Sequence, residues 1–594
     1  MEKKSKMSTY ILGISCFYHD ASAALLKDGS IVAAAEEERF TRKKHDYSFP
    51  INAIEYCLKS EKITINRVDY LGFYEKPFLK FERVMEQHLE MFPLSLKTFL
   101  SSIPSWLNEK LRIPKLVRKV LGFNKGVMFI EHHLAHAASA FLVSPFKEAA
   151  ILTVDGVGEW TTTAYGIGNR NDIKLIKEIK FPHSIGLLYS TITAYLGFSV
   201  NNSEYKVMGL APHGDTNKKT NTYYKKLKEV IDIKDDGSYR LNMEYFIFHY
   251  ADRMPSSKLC DLLGGPVRKS DKPISQRHKD IAAALQFITE EVLTKILIHV
   301  HKATKCDNIV LAGGVILNSV FNGKILKSTP FRNVWIQPNS SDGGTSIGVA
   351  AYIYHTILNN KRKFILRDVY LGPQYSTNEI KFFLDKHKIN YKEFRNQKDI
   401  VKTTARLIFK NKIVGWFHDR MEFGPRALGA RSILSNATNP DMRDILNLKV
   451  KHREQFRPFA PVITAEDTYN YFDADKPLPL PTDFMLMVYP IKERKRKLIP
   501  AVTHVDGSGR LQTIKKFQNP LYYNLIKEFE KLSGVPILIN TSFNIRGEPI
   551  VCSPFDAYKC MMGTGIDYLI IDKFLISREA NLRDKWESEK FAKD

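Results

Sequence analysis

The 594-residue sequence lacks the patterns that mark secreted, membrane-spanning and disulfide-stapled proteins. Its six cysteines are scattered and include no Cys-x-x-Cys pair, which argues against a disulfide framework and against a zinc ribbon. No run of about 18 uncharged apolar residues occurs, so no transmembrane helix is expected. The N-terminal segment 1–7 is basic, and the apolar run after it is short and interrupted by polar residues. This pattern is not typical of a secretory signal. We therefore expect a soluble cytoplasmic protein with reduced thiols.

Acidic residues are also scarce, because 64 of them face 88 basic residues and leave a formal net charge of +24. Such a surplus suits nucleic acid, a membrane surface or small anionic substrates, and it also occurs on lysine-rich surfaces without any partner. The basic run at 492–497 has no interleaved aromatic residues of the kind that stack on bases. We therefore expect phosphate-bearing substrates, and neither a nucleic acid nor a membrane as partner.

A polar and basic stretch at residues 359–363 divides the chain into two expected domains. The first is expected at 8–358 and the second at 368–580. Strand-like runs and helical periodicity alternate in the first, and strand-like runs such as 535–539 occur in the second. The fold class is therefore expected to be α/β.

The first expected domain contains a weak internal repeat. Residues 10–35 predict a strand, a short polar break and a β-hairpin, and residues 149–165 predict a strand, a tight turn and a strand. Each copy has an acidic residue in its first turn, Asp20 in one and Asp155 in the other. The repeat fits the duplicated actin-like ATPase fold, in which two such turns face a nucleotide phosphate.

The sharpest local pattern places His132 and His136 four residues apart, and therefore on one face if the segment is helical. Two imidazoles at that spacing can chelate one divalent metal, whereas His133 would face elsewhere and is not expected to bind. Asp155 and Asp342, each in a glycine turn, could complete a site of two histidines and two aspartates. That ligand set suits iron, manganese or zinc. The alternative is a histidine pair that only makes hydrogen bonds in a polar pocket.

Further candidates in the first domain surround its predicted turns. His19 could handle a proton beside a phosphate or an acceptor hydroxyl, with a near-normal pKa, or it could simply cap backbone groups of its turn. Lys44 lies in a basic run and could reach a phosphate. Gly313 and Gly314 directly follow the buried-type strand 308–312, where glycines let the backbone approach a ligand.

The second domain is dense in cations that lie within glycine-rich turns beside strand-like segments. Buried guanidinium groups need anions, and arginine grips phosphate or carboxylate with two parallel hydrogen bonds. For any one of these residues, a structural pair with a carboxylate is the alternative. The candidates are Arg426, Arg431, Lys451, Arg510 and Arg546.

Taken together and in order, segments within residues 18–560 resemble the NodU/CmcH family of O-carbamoyltransferases. One departure is His213, where the resemblance leads us to expect tyrosine, and the regions 78–123 and 216–272 carry no family motif and are expected to shape an acceptor pocket. The matching blocks are 18–23, 37–40, 132–140, 153–156, 204–212, 313–315, 341–344, 424–429, 456–461, 504–510 and 540–544.

The resemblance implies an N-terminal domain like the tRNA threonylcarbamoyl transferases, on the actin-like ATPase (ASKHA) fold. It implies a C-terminal domain like the YrdC carbamoyl-adenylate-forming proteins, which makes carbamoyl adenylate and pyrophosphate from carbamoyl phosphate and ATP with Mg. The N-terminal domain would then bind the adenylate at a metal that resembles an Fe(II) site. It would pass the carbamoyl group to a hydroxyl of a small-molecule or sugar acceptor, and an oligomer is possible.

The residue patterns and the resemblance together nominate three groups of functional residues. The expected catalytic residues are His19, Lys451, Arg510 and Arg546. The expected substrate-binding residues are Lys44, Lys206, Gly313, Gly314, Asn318, Arg426 and Arg431. The expected metal ligands are His132, His136, Asp155 and Asp342.

Three other functions stay open on the sequence. A small-molecule kinase on the same fold would explain the glycine turns but not the arginine-rich second domain. A tRNA-modifying carbamoyl or threonylcarbamoyl transferase would explain the positive charge, although no added RNA-binding module is visible. A non-catalytic nucleotide-binding scaffold is the third. Antibiotic, oligosaccharide and toxin scaffolds all remain open as acceptors.

Overall fold

The computed structural model describes residues 8–584, which form two compact units. Both units combine helices with β-sheets, and the predicted α/β class is confirmed. Unit 1 contains residues 8–37 together with Asp46–Asn318 and Ile325–Leu366. Unit 2 contains Glu38–His45, Ser319–Lys324 and residues 367–584.

The elements are numbered here in chain order. The strands are β1 (Tyr10–Ser15), β2 (Ser22–Lys27), β3 (Ser30–Glu36), β4 (Tyr70–Phe73), β5 (Val127–Phe129), β6 (Glu148–Val154), β7 (Thr161–Asn169), β8 (Asp172–Lys180), β9 (Ile231–Ile233), β10 (Tyr239–Leu241), β11 (Asn308–Ala312), β12 (Asn333–Ile336), β13 (Tyr391–Glu393), β14 (Val414–Phe417), β15 (Arg431–Asn436), β16 (Ala460–Thr464), β17 (Met487–Pro490), β18 (Ser508–Ile514), β19 (Ile537–Ser542), β20 (Tyr568–Ile571) and β21 (Phe574–Ser577). The α-helices are α1 (Glu38–Thr41), α2 (Ile51–Ser60), α3 (Pro77–Glu90), α4 (Leu96–Asn108), α5 (Ile113–Leu121), α6 (His132–Phe141), α7 (Ile185–Tyr195), α8 (Glu204–Leu210), α9 (Thr222–Val230), α10 (Ser257–Leu262), α11 (Gln276–Thr304), α12 (Ser319–Asn322), α13 (Ile325–Ser328), α14 (Thr345–Tyr352), α15 (Thr377–Lys386), α16 (Gln397–Phe409), α17 (Met442–Lys449), α18 (Thr468–Tyr471), α19 (Glu493–Arg496), α20 (Pro520–Ser533) and α21 (Pro554–Met562).

Unit 1 repeats one sheet plan in its two five-stranded sheets. The first has the order β3-β2-β1-β4-β5, with β1 antiparallel to β2 and parallel to β4. The second has the order β8-β7-β6-β11-β12, with β6 antiparallel to β7 and parallel to β11. The predicted internal repeat is thereby confirmed. Asp20 lies between β1 and β2, and Asp155 lies in the corresponding turn between β6 and β7.

Helices α6 and α14 approach each other unusually closely in unit 1. Gly348 of α14 has no side chain, and a Cβ atom added there would lie 2.0 Å from the carbonyl oxygen of Ala135 in α6. Gly13 of β1 plays the same part on the other side, because its Cβ would lie 2.0 Å from the carbonyl oxygen of Ser346. Glycines at these two positions therefore fix where α6 lies.

The replacement Gly348→Ala tests this close approach. A methyl group 2.0 Å from a backbone carbonyl forces one helix to move. We expect the free energy of unfolding to fall by roughly 1–3 kcal/mol, as for other overpacked cores. The matched control is Gly126→Ala, because a Cβ atom at Gly126 meets nothing within 4 Å. Equal thermal unfolding midpoints for the two variants would contradict the packing described here.

The longest helix of unit 1, α11, has 29 residues and is amphipathic. It buries Ile281, Leu285 and Ile288, whereas Lys279 and Lys295 are half-buried on its other positions. Among the helices of residues 8–584, none is long and apolar enough to cross a bilayer.

Unit 2 is built on one nine-stranded mixed sheet. Its order is β13-β21-β20-β14-β15-β19-β16-β18-β17, and the parallel pairs are β14 with β20 and β16 with β18. Helices α16 and α20 pack against this sheet, where Ile408 and Phe529 join Trp416 and Leu434 in a buried core. The apolar faces of both helices are satisfied by this contact.

Two arginines hold the segment Glu38–His45 in unit 2. Arg39 donates from Nη2 to the carbonyl of Gly424 at 2.8 Å, and Arg42 donates to two further backbone carbonyls at 2.7 Å. The segment lies inside the expected first domain, so that sequence position alone does not reveal this placement. Lys44 therefore belongs to unit 2, although the sequence suggested that it serves the first domain.

Candidate active site

Four buried polar side chains converge in unit 1, and their ligand-type atoms all lie within 4.8 Å of one another. Nε2 of His132 lies 3.1 Å from Oδ2 of Asp155 and 3.7 Å from Oδ1 of Asp342. Nε2 of His136 lies 4.0 Å and 3.6 Å from the same two oxygens. The helical spacing of the histidines and the two glycine turns thus bring together the four residues that the sequence nominated as metal ligands.

The donor set fits a divalent metal. Within the described residues, neither carboxylate oxygen of Asp342 and neither ring nitrogen of His136 has a hydrogen-bond partner, although all four atoms are buried. Such groups are costly to bury unless something else binds them. Ligand atoms about 2.1 Å from a shared cation lie roughly 3.0–3.4 Å apart, close to the separations of 3.1–4.0 Å found here. Two imidazoles and two carboxylates suit iron, manganese or zinc.

The charges within this cluster shift its pKa values strongly. Burial alone would lower the pKa of His132, but Asp342 and Asp155 raise it to about 9. Burial alone would raise the pKa of Asp155, but the hydrogen bond from His132 and the charge of His136 hold it well below its usual range. The pKa of Asp342 is likewise lowered, against the effect of its burial. Both aspartates are therefore ionised at neutral pH, as metal-ligating carboxylates must be.

Two backbone contacts hold these side chains in place. The carboxylate of Glu159 accepts the N–H of His132, the first residue of α6, at 3.0 Å and 3.2 Å. The N–H of Gly314 donates to Oδ1 of Asp155 at 2.8 Å. A carboxylate at a helix N-terminus satisfies an otherwise unpaired donor and complements the helix dipole. Sequence reasoning missed Glu159, because only the fold brings the turn after β6 to the start of α6.

His133 lies outside the four-residue cluster. Its Nδ1 lies 2.7 Å from the Thr153 hydroxyl in the neighbouring strand β6. Burial and the charges of His132 and His136 hold the pKa of His133 well below its usual range, so the ring is neutral. It is thus a packing histidine beside the site.

His19 lies in the turn between β1 and β2, with Nδ1 3.0 Å from Oδ2 of Asp20. Burial lowers its pKa, but the charges of Asp342, Asp20 and Asp155 outweigh burial and raise the pKa to about 10. These charges hold the pKa of His19 above the near-normal value expected from the sequence. The sequence alone did not show how close three carboxylates come to this ring.

Three other nominated residues of unit 1 have partners that the sequence could not reveal. Gly313 adopts φ +100°, and a Cβ atom there would lie 2.2 Å from the carbonyl oxygen of Val154. Asn318 and Gln286 exchange amide hydrogen bonds at 2.9 Å and 3.2 Å. Lys206 is buried, with Nζ 5.7 Å from the ring centre of Phe198. The positive φ of Gly313 is a backbone conformation that only glycine adopts readily.

Family models match both units of the chain. The model described as "Carbamoyltransferase N-terminus" matches residues 10–351, and the model described as "Carbamoyltransferase C-terminus" matches residues 405–578. The chain belongs to the carbamoyltransferase family. The family and the enzyme class predicted from the motifs are thereby confirmed.

Two of the similar proteins match nearly the whole carbamoyltransferase, and a third matches less than half of it. The uncharacterized protein sll1178 of Synechocystis sp. is 44% identical over 618 residues, which cover 98% of this chain and 99% of that protein. Nodulation protein NolNO of Sinorhizobium fredii is 35% identical over 577 residues, which cover 96% of this chain and 80% of that protein. Nodulation protein U of the same organism is 33% identical over 278 residues, 46% of each chain.

Solved structures resemble the carbamoyltransferase only distantly. Component A of (R)-2-hydroxyglutaryl-CoA dehydratase from Acidaminococcus fermentans is 12% identical, with a TM-score of 0.34, and covers 59% of this chain and 99% of its own. HypF from T. kodakarensis is 12% identical, with a TM-score of 0.30, and covers 60% of this chain and 49% of its own. Both scores are too low to carry an argument about function.

In unit 2 of the carbamoyltransferase, Arg431 has backbone partners that the sequence did not reveal. Its guanidinium is fully buried and donates to the backbone carbonyls of His418 at 2.7 Å and Pro373 at 3.0 Å. It also stacks 3.5 Å from the ring centre of Phe417. These contacts tie three backbone segments together, so the side chain supports the fold around the site. The sequence could not distinguish this from an anion contact, because both need a buried guanidinium.

Lys451 is a buried cation that holds a loop of unit 2. Its Nζ lies 2.5 Å from the carbonyl oxygen of Ser542 and 2.7 Å from Oδ1 of Asn544. The loop 540–544 is one of the blocks that resemble the family. Lys451 therefore positions that loop, whether or not it also reaches a substrate.

Arg510 lies in a strand of unit 2 rather than in the glycine loop that the sequence suggested, whereas Arg546 lies in a loop. Arg510 lies in β18 opposite Val488, and its charge joins burial in lowering the pKa of His504 to about 4, against the effect of Asp506. His504 is thus neutral at pH 7 and was not nominated from the sequence. Arg546 donates to the carbonyl of His452 at 3.1 Å.

Arg426 is half-buried in the glycine-rich turn before β15. The adjoining residues are held by Glu422, whose Oε1 accepts the N–H groups of Leu428 at 2.7 Å and Ala430 at 2.8 Å. This buried carboxylate fixes the path of the turn, and it was also not nominated from the sequence. Arg426 is therefore presented from a rigid backbone.

Metal analysis tests the four-residue site. We expect one divalent metal per chain in the carbamoyltransferase, and at least about a tenfold weaker metal affinity in His136→Ala and Asp342→Asn, because each loses a ligand. His133→Gln is the matched control, since it removes a buried imidazole of the same helix that lies outside the cluster. Equal metal content by elemental analysis in His136→Ala and His133→Gln would show that the metal binds elsewhere.

Proposed function

We propose that this carbamoyltransferase forms carbamoyl adenylate from carbamoyl phosphate and ATP in unit 2. Unit 1 then transfers the carbamoyl group to a hydroxyl of a small-molecule or sugar acceptor. The observation that carries the proposal is the buried cluster of two histidines and two aspartates in unit 1. A carbamoyltransferase needs a site for the transfer step. The cluster includes Asp155, which lies in the second copy of the repeated turn.

The division of labour rests on the architecture of each unit. The duplicated five-stranded sheets of unit 1 support an actin-like ATPase fold for the transfer domain, 8–358. The mixed sheet of unit 2 and its buried cations support a YrdC-like adenylate-forming domain, 368–580. The segments Glu38–His45 and Ser319–Lys324 are exceptions that belong with the second domain.

The proposed donor reaction brings two anionic substrates together. Water attacks the phosphorus of carbamoyl phosphate and its P–O bond to the carbamoyl group breaks, which gives phosphate and carbamate. A carbamate oxygen then attacks the α-phosphorus of ATP, so that pyrophosphate leaves. Positive side chains offset the charge that accumulates in this step. Arg510, Arg546 and Arg426 are the proposed contacts, and Lys451 holds the loop 540–544. In this proposal Mg enters the site bound to ATP.

The proposed transfer site holds one divalent metal, and Fe(II) is our first candidate, with manganese and zinc as alternatives. His132, His136, Asp155 and Asp342 would hold it. A divalent metal bound there would act as a Lewis acid toward the adenylate phosphate and would offset the charge of the two aspartates. Glu159 and Gly314 keep the ligands oriented through the hydrogen bonds described above.

His19 is the proposed base for the acceptor. Its Nδ1 faces Asp20 at 3.0 Å, so the Nδ1–H can donate to that carboxylate and leave Nε2 to accept a proton. An offset of the charges of Asp342 and Asp155 would lower the pKa of His19, while Asp20 would still raise it. The acceptor oxygen then attacks the carbamoyl carbon, AMP leaves, and the hydroxyl proton goes to Nε2.

A paired assay on two variants tests this division. His19→Asn is expected to lower transfer of labelled carbamoyl groups by roughly 100-fold or more, as for loss of a general base. It should still release pyrophosphate and AMP. Arg510→Gln is expected to lower pyrophosphate release itself by roughly 10- to 100-fold, because a charge-assisted contact is lost.

The reaction products distinguish the proposed function from its alternatives. Release of ADP instead of AMP and pyrophosphate would indicate a small-molecule kinase. Incorporation of the label into tRNA would indicate a tRNA-modifying enzyme. If both variants retain wild-type rates of both reactions, the assigned residues are structural and the proposal is wrong.

A further inference from the structure

Helix α3 carries two buried cations on its inner face. Lys80 and Arg83 are three residues apart, which places them on the same side of the helix, and their exposed fractions are 5% and 6%. The opposite side of the helix exposes Phe78, at 72%. An arrangement with charges inside and an aromatic residue outside reverses the usual pattern of a surface helix.

Only one of these two cations has a counterion in the part of the chain that the structure describes. Nζ of Lys80 lies 2.5 Å from Oε2 of Glu75, which is itself buried. Arg83 makes no ion pair with any residue within 8–584, and its Nε has no hydrogen-bond partner there. Its Nη1 makes one long contact, 3.4 Å, to the Gln87 amide oxygen.

A third cation adds to the positive charge of this region. Lys110 lies between α4 and α5, and burial and the charge of Lys80 both lower its pKa. The charges of Glu75, Glu159 and Glu109 act on Lys80, Arg83 and Lys110, but within residues 8–584 only Glu75 forms an ion pair with one of the three, Lys80. A buried guanidinium without an anion is costly, so that its retention points to an anion that binds there.

The start of α3 lies beside the four-residue cluster. The ring of Tyr74 is 5.5 Å from that of His132, centre to centre. The N–H of Lys76 donates at 2.8 Å to Glu159, the same carboxylate that accepts the N–H of His132. The helix that carries Arg83 is therefore anchored to the turn that orients the metal ligand.

Tyr18 links the cations to the cluster and to the proposed base. Nζ of Lys80 lies 4.6 Å from the ring centre of Tyr18, which directly precedes His19. Burial, Asp155 and Asp342 raise the pKa of Tyr18, and Arg83 lowers it. Tyr18 thus places Lys80 beside the turn that carries His19.

We propose that Arg83, with Lys80 and Lys110 beside it, binds an anionic group of the acceptor: a carboxylate, a phosphate or a sulfate. This rests on the proposed function, because it names the class of acceptor for the transfer site. Helix α3 lies in the region 78–123, which carries none of the family's motif blocks, and that favours the acceptor over the adenylate phosphate as the source of the anion.

The transfer arm of the test uses a matched set of sugars and labelled carbamoyl phosphate. Glucuronate and glucose 6-phosphate supply the anion, and glucose and glucosamine lack it. We expect the wild type to carbamoylate the anionic sugars in preference. Arg83→Gln should lower kcat/KM for the anionic sugars roughly 10- to 100-fold, mainly through KM. It should leave kcat/KM for glucose and the rate of pyrophosphate release unchanged.

Lys115→Gln is the matched control, because it removes one positive charge from the exposed side of α5. The second arm measures thermal unfolding with and without inorganic phosphate. Arg83→Gln should have the unfolding midpoint of the wild type or a higher one without phosphate, since it loses an uncompensated buried charge. Phosphate should raise the unfolding midpoint of Arg83→Gln less than it raises that of Lys115→Gln.

Three outcomes would overturn the proposal. One is an equal gain from phosphate in Arg83→Gln and Lys115→Gln. Another is a fall of pyrophosphate release in Arg83→Gln, which would assign Arg83 to the donor. The third is equal use of neutral and anionic sugars that Arg83→Gln does not change. If no sugar is carbamoylated, the proposed function is in doubt, while the phosphate arm still decides whether Arg83 binds an anion.

Discussion

Two ionised aspartates buried beside two imidazoles form the constraint on which the rest of unit 1 depends. Asp342 is fully buried, and within residues 8–584 neither of its carboxylate oxygens has a hydrogen-bond partner. A charge in that position must be offset by protons on the neighbouring histidines or by a cation. The raised pKa of His132 and the lowered pKa of Asp155 describe the first state. A divalent metal would replace the protons and give the same charge balance with the geometry of a chelate.

The surrounding structure maintains this arrangement through contacts that involve backbone more than side chains. Gly348 lets α14 press against the backbone of α6, which carries both histidines. Glu159 caps the first turn of α6, and the N–H of Gly314 orients Asp155. Because each contact fixes a different element, the contacts together hold the four side chains close to one another. The same turn, through Lys76, also anchors the helix of Arg83.

Sequence reasoning succeeded where chemistry follows from local spacing. The interval between His132 and His136 predicts one helix face, and the repeated strand–turn pattern predicts the place of Asp155. It failed where a role depends on tertiary partners. The backbone carbonyls that accept from Arg431 could not be foreseen from its sequence position, and Glu159 gave no signal because its partner is 27 residues away in the chain. The assignment of Glu38–His45 to unit 2 likewise depends on carbonyls that lie far along the chain.

The central claim is that unit 1 binds its metal through His132, His136, Asp155 and Asp342. The most direct test is a crystal of protein loaded with one metal per chain, with an anomalous difference map collected at the absorption edge of that metal. We predict one strong peak enclosed by Nε2 of both histidines and the carboxylate oxygens of both aspartates. A peak at another position, with His132 still hydrogen-bonded to Asp155, would contradict the account.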